Sequence, residues 1–221
     1  MLDVATGAGW FVGYLDDGLA DHEEIVGIDT DPGREAAFAD ATRGRSGTRF
    51  EVRDALATGR PDASFDTVAV ANSLHHFTDP AAVLREMLRV LRPSGSVILF
   101  EMYRDGQEPP QMTHVELHHW WAAIDARSGI IHRPTYTRQE LLDLVGALGL
   151  RYVEVTDVSN PEDDPLDPDS IAEMRDVIDR YLERSGGDPE LIARGHALRT
   201  RLEEVGIRGA TSVCVVGRKP A

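Results

Sequence analysis

The stretch "LDVATGAGWFVG", residues 2–13, carries the reading that decides the fold. An apolar run holding Asp3 ends in Gly7, Gly9 and Gly13, a strand feeding a tight turn where a ligand lies against the backbone. A dinucleotide fingerprint needs G-x-G-x-x-G, and the spacing here is one residue longer. A P-loop ends in Gly-Lys-Ser/Thr, which is absent. Asp3, just ahead of the turn, suits a cationic group better than a pyrophosphate.

Outward from this turn, strand and helix patterns alternate. The sequence predicts strands at 1–5, 24–31, 48–55, 65–73 and 96–102. The clearest helix is 79–91, with Asp79 as cap, Pro80 in the first turn and Val83, Met87, Val90 and Leu91 on one face. "RPSG" (92–95) is read as its stop. Alternation of this kind predicts parallel βαβ units and a sheet covered on both faces. Further on, 137–150 reads as a helix with Thr137 and Glu140 in capping-box spacing, and 151–159 as a strand. A proline-rich acidic linker (160–170) leads to two amphipathic helices, roughly 170–185 and 189–205, and to a final strand at 210–219.

The bulk numbers bound the function. A chain of 221 residues builds one sizeable core. A formal net charge of −15 repels a phosphate backbone and an anionic membrane surface, so neither nucleic acid nor membrane is expected as partner. Cys214 is the single cysteine, which excludes an intrachain disulfide and a cysteine metal cage. With no basic leader and no long apolar stretch, a cytoplasmic location is expected.

"LDVATGAG", "VGIDTDP", "RDA", "SFDTVAVANSLHHFTDP" and "LREMLRVLRPSGSVILFE" occur in that order from residue 2 to about 102. Together they resemble the class I S-adenosylmethionine (SAM)-dependent methyltransferases, most of all the group holding the ubiquinone and menaquinone biosynthesis enzymes. The resemblance implies an α/β, Rossmann-like, seven-stranded and mostly parallel sheet. Its last strand (210–219) would be inserted antiparallel between the fifth and sixth. It also implies SAM as cofactor and S-adenosylhomocysteine as product. Gly7 and Gly9 would let the backbone lie against the methionyl part, with Ala5 where the family has its first glycine. By the same resemblance Asp3 anchors the amino-acid end, directly or through water. Asp29, with Thr30 beside it, accepts the ribose hydroxyls, since a carboxylate takes two donors. Asp54 and Ala55 meet the adenine, and Asn72 lies along the methionyl chain. Asp29 and Asp54 also read as ordinary turn residues after strands. The family usually carries a helix ahead of the first strand, folding over SAM. This sequence starts inside that strand, so the start is truncated or the cap comes from elsewhere.

A second constellation, "QMTHVELHHWWAAIDARSGIIHRPTYT" (111–137), falls where the family builds its substrate site. On a helix His114 and His118 share a face continued by Trp121 and Asp125, while His119 is rotated by about 100°. His132 follows the Ser128-Gly129 break and folds back. Three readings stand. As a metal site, His114 and His118 are ligands, completed by Glu116, Asp125 or His132. As a substrate site, one histidine is a general base and Trp120 or Trp121 a wall. As structure alone, the tryptophans are core and the histidines satisfied neighbours.

The expected function is therefore methyl transfer from SAM to a small molecule, with His118, His75 or His114 as base. His76, Tyr103, Trp121 and His132 are the substrate candidates. Arg104 would hold an acidic substrate or lie free on the surface. A SAM-binding but non-catalytic or partner-dependent subunit is the alternative, and an NAD(P)-dependent oxidoreductase is disfavoured by the glycine spacing. One domain is expected over 1–221, with a substrate-site insertion at 103–136. Residues 160–209, the acidic linker and helical pair, are expected to form a lid, a homodimer face or a solvated pair.

Overall fold

The computed structural model describes residues 1–19 and 21–221. Seven strands lie at β1 (Leu2–Val4), β2 (Ile25–Asp29), β3 (Thr48–Val52), β4 (Phe65–Ala71), β5 (Leu91–Met102), β6 (Arg151–Val158) and β7 (Ser212–Arg218). They form a sheet in the order β3-β2-β1-β4-β5-β7-β6. The pairs from β3 through β5 are parallel, and β7 runs antiparallel to both β5 and β6. The expected α/β sheet, with its last strand inserted antiparallel between the fifth and sixth, is the one observed.

Among the described residues seven α-helices accompany it: α1 (Trp10–Gly18), α2 (Glu35–Ala41), α3 (Pro80–Val90), α4 (Pro109–Arg127), α5 (Arg138–Gly146), α6 (Pro168–Arg184) and α7 (Pro189–Val205). Strand side chains alternate between the two faces, and the core divides accordingly. Val68 and Val70 of β4 join Val83, Met87 and Val90 of α3 and Leu141 and Val145 of α5. Ala69 and Ala71 face the other way, onto Phe11, Val12 and Leu15 of α1 and Phe38 of α2. With helices on both faces, β1 is apolar but for Asp3, and Leu2 and Val4 are fully buried.

The caps fall where the residues dictate. The Asp79 carboxylate accepts from Ala82 N at 2.9 Å to open α3. The Thr137 hydroxyl and Glu140 carboxylate form the reciprocal capping box of α5. Several boundaries differ from expectation, most strands being shorter than read, and three bear on the fold. After Val90 the chain turns straight into β5, because Leu91 pairs with Phe65 and "RPSG" is absorbed as an irregularity before Ser96 resumes the ladder. Leu91 therefore belongs to the strand. Helix α5 ends at Gly146, not 150, and α6 begins two residues early, at Pro168 behind the Asp167 cap.

The helical pair α6 and α7 packs on α4. Leu117, Trp120 and Ile124 of α4 meet Ile171, Ile178, Leu191, Leu198 and Leu202, a core separate from those on the sheet. The indole N–H of Trp120 donates to Leu191 O at 2.9 Å. The edge strand β6 leaves Tyr152, Val153, Val155 and Val158 exposed. Among the described residues no helix is long and apolar enough to cross a membrane.

Candidate active site

The carboxyl ends of β1, β2, β3 and β4 open onto one cleft of about 730 Å³, the usual ligand position in an open α/β sheet. Ala5, Gly7, Asp29, Thr30, Asp54, Ala55 and Asn72 line it, seven of the nine residues expected to hold the cofactor. Ala5 and Gly7 take left-handed conformations (φ 54° and 52°), which explains why glycine is favoured at both positions. A Cβ on Gly7 would meet nothing within 4 Å, so that backbone stands open to the cleft. Gly9 acts differently. It is the left-handed N-cap of α1, and a Cβ there would lie 2.7 Å from the Phe38 ring, so it serves close packing and not the ligand.

Asp29 is fixed by two backbone donors, Gly7 N onto Oδ2 and Asp31 N onto Oδ1, each at 3.0 Å. Each oxygen keeps a lone pair for an incoming hydroxyl. Asp54 accepts from Leu56 N at 2.8 Å, so it is both a turn residue and a cleft residue. Asn72, left-handed at φ 44°, accepts from Met102 N at 2.9 Å and ties the β4 exit to β5. Asp3 does not line the cleft. It lies 1% exposed in β1, between Gly27 and Ala69, and neither carboxylate oxygen has a hydrogen-bond partner. Burial pushes its pKa up to about 7, with Thr6 pulling the other way.

Beyond the cleft wall the histidines gather. His75 and His76 sit on a short 3-10 turn after β4, His118 on α4 and His132 on the loop that follows α4. His75 Nδ1 is 2.6 Å from Glu101 Oε1, and Glu101 is itself held by Ser73 N and Leu74 N at 3.0 and 3.1 Å. His132 Nδ1 is 2.8 Å from Asp125 Oδ2, and the other Asp125 oxygen accepts from Arg184. His118 Nε2 and His132 Nε2 stand 3.3 Å apart. Desolvation lowers the pKa of His118 far below the usual histidine range and that of His76 to about 4, although the outer edge of His76 is exposed. The neighbouring imidazoles add to both shifts.

Other candidates are placed elsewhere. His114 accepts from Ala210 N at 3.0 Å, away from this group, so the expected pairing of His114 with His118 is replaced by one of His118 with His132, His75 and His76. A shared helix face sets direction but not reach. Tyr103 is buried in the sheet core and is not a cleft residue. Arg104 donates to Thr135 O and pairs with Glu140 at 3.0 Å. Trp121 sits 6.1 Å from the His118 ring and stacks on Tyr181. Gly129, Ile130 and Ile131 line the cleft, on a loop pinned by Arg133 N to His75 O at 3.0 Å. Sequence reasoning passed over Glu101, although an acid ending the apolar run "SVILFEM" was a signal.

Residues 2–99 match the family model of the methyltransferase domain. The match runs from β1 into β5 and likens this part of the chain to that domain. A demethylmenaquinone methyltransferase of Deinococcus radiodurans is 42% identical over 106 residues, 46% of this chain and 42% of that protein. The chain thus spans less than half the length of the curated relatives it matches. Among solved structures, the YcgJ protein of Bacillus subtilis superimposes with a TM-score of 0.59 at 19% identity, covering 100% of this chain and 91% of that one. The [4+2]-cyclase SpnF does so with a TM-score of 0.59 at 21% identity, covering 100% and 75%. These two likenesses concern the fold.

Proposed function

We propose that the cleft binds SAM and that the chain passes its methyl group to a small-molecule acceptor lying against the histidine group. Asp29 carries this reading. Its two oxygens are oriented by backbone N–H groups at the mouth of β2, each with a lone pair left, which suits a pair of adjacent hydroxyls such as a ribose presents. Asp3 supports it, since a buried carboxylate with no partner is costly unless a cationic group such as an ammonium comes near, directly or through water. The acids Asp29, Asp31 and Asp54 line the cleft, whereas Arg34 faces Asp31 and Arg53 is bound to Glu51, so the lining suits a cationic ligand.

SAM supplies an activated methyl group on a sulfonium. The residues here align acceptor and donor, with Ile130 and Ile131 as apolar lining beside them. His76 lines the cleft and also belongs to the histidine group, so donor and acceptor sides meet at that residue.

Isothermal titration of SAM, S-adenosylhomocysteine and NADH into the purified protein tests the reading. Micromolar binding of the first two and none of NADH is expected. Asp29→Ala should weaken SAM by about 100-fold or more, the loss of two hydrogen bonds to a charged group. A folded wild type that ignores SAM overturns the proposal.

A further inference from the structure

The four histidines are arranged in a way that a general base does not require. One ring nitrogen of each lies within 4.8 Å of the others. For three of them the second ring nitrogen is already committed. His75 Nδ1 faces the Glu101 carboxylate, His132 Nδ1 faces the Asp125 carboxylate, and His76 Nδ1 is 3.2 Å from Ile131 O. Carboxylates and carbonyls only accept, so each Nδ1 carries the proton and each Nε2 presents a lone pair. A hydrogen bond from His118 Nε2 to His132 Nε2 uses the one proton that His118 has. It leaves His118 Nδ1 buried without a partner, and His75 Nε2 is buried without one as well. More lone pairs than protons converge on one spot, which suits a Lewis acid.

We propose that His75, His118 and His132 bind one divalent transition-metal ion of the zinc type, with His76 as a fourth, exchangeable ligand. The 3.3 Å between the His118 and His132 nitrogens matches the edge of a tetrahedron with metal–nitrogen bonds of about 2.0–2.1 Å. An all-imidazole set suits zinc, copper, nickel or iron and disfavours magnesium and calcium, which take oxygen. Glu101 and Asp125 orient two of the ligands through Nδ1–H, as carboxylates behind metal-bound histidines do.

Binding of the ion stands on these residues alone; its use rests on the methyl-transfer reading above. With His76 displaced, the ion would take the oxygen of an acceptor hydroxyl, which selects phenols and enols. The hydroxyl proton goes to solvent and the oxygen electron pair forms the bond to the methyl carbon. The donor carbon–sulfur bond breaks with its pair remaining on sulfur.

The test uses the full chain, stripped with a chelator and titrated with zinc chloride in the absence of SAM, with cobalt(II) as a second probe. One equivalent of zinc should bind at submicromolar Kd, and cobalt should give the intense visible bands of a tetrahedral site. His118→Ala and His132→Ala should each weaken zinc by at least about 100-fold, and Asp125→Asn by about 10- to 100-fold. His196→Ala, on the exposed face of α7, should change nothing. Circular dichroism checks that each variant is folded, and the wild-type cobalt spectrum decides the matter if one is not. No stoichiometric zinc, an octahedral cobalt spectrum, or equal affinity in His118→Ala overturns the proposal. If SAM binds and zinc does not, the metal site fails and methyl transfer stands; the reverse result separates them the other way.

Discussion

The sheet half of the molecule, through β5, and the helical assembly of α4, α6 and α7 obey different rules. In the first, short strands and a glycine turn hold the ligand-facing groups on backbone geometry, so Asp29 is aimed by two N–H groups and Ala5 by a left-handed φ. In the second, side-chain packing does the positioning: Trp120 fills the space between helices, and His118 is delivered by the face that Trp120 leaves free. Backbone-built sites tolerate sequence change around them. Side-chain-built sites depend on each packed residue, and the family match stops at residue 99, short of this assembly.

The sharpest way to break this contrast is Trp120→Ala. Removing a fully buried indole and its hydrogen bond should destabilise the protein by about 3–5 kcal/mol, measured by denaturant unfolding. SAM affinity should be nearly unchanged in the folded fraction; a matching loss would show that the two halves are one energetic unit. Next comes Asp3. Its folded pKa of about 7 lies above the usual carboxylate value, so between about pH 4 and pH 7 the folded state binds a proton that the unfolded state has lost. Stability should fall over that window by about 4 kcal/mol as pH rises, and Asp3→Asn should abolish the slope while weakening SAM. A sloped Asn variant would remove Asp3 from the explanation.

Gly195 of α7 offers a smaller effect. A Cβ there would meet the Trp120 ring at 2.5 Å and Leu182 at 2.6 Å, so Gly195→Ala should cost about 1–3 kcal/mol by overpacking, read as a lower thermal midpoint. Thr137→Ala, which opens the α5 capping box, should cost about 1 kcal/mol.

What could be read from the sequence follows the same divide. All seven strands were legible. Burial on both faces makes the inner ones short apolar runs between turn signals, while the edge strands β3 and β6, more exposed, showed through their valines and aromatic residues. The antiparallel insertion of β7 between β5 and β6 came with the family resemblance. The start of β5 was hidden, since "RPSG" looks like a helix stop when the pairing of Leu91 with Phe65 is unseen. Most of the cofactor candidates reached the cleft because each follows a strand. The histidine group was only half legible. Helical spacing nominated His118 with His114 and offered His132 as folding back. His132 does so, but His75 and His76, which replace His114, reach His118 because β4 and β5 are neighbours in the sheet. Proximity across strands leaves no periodic trace.

The place of β7 also sets a timetable. Strand β6 is made before β7 but has no neighbour in the sheet until β7 has been synthesised, after α6 and α7. During that interval Val153 and Val155 are apolar residues on an unpaired ribbon, the kind of species that recruits other chains. The acids crowding 160–170, directly after β6, put like charge beside that ribbon while it waits. Translation speed across 159–211 should therefore govern yield more strongly than speed anywhere ahead of β6.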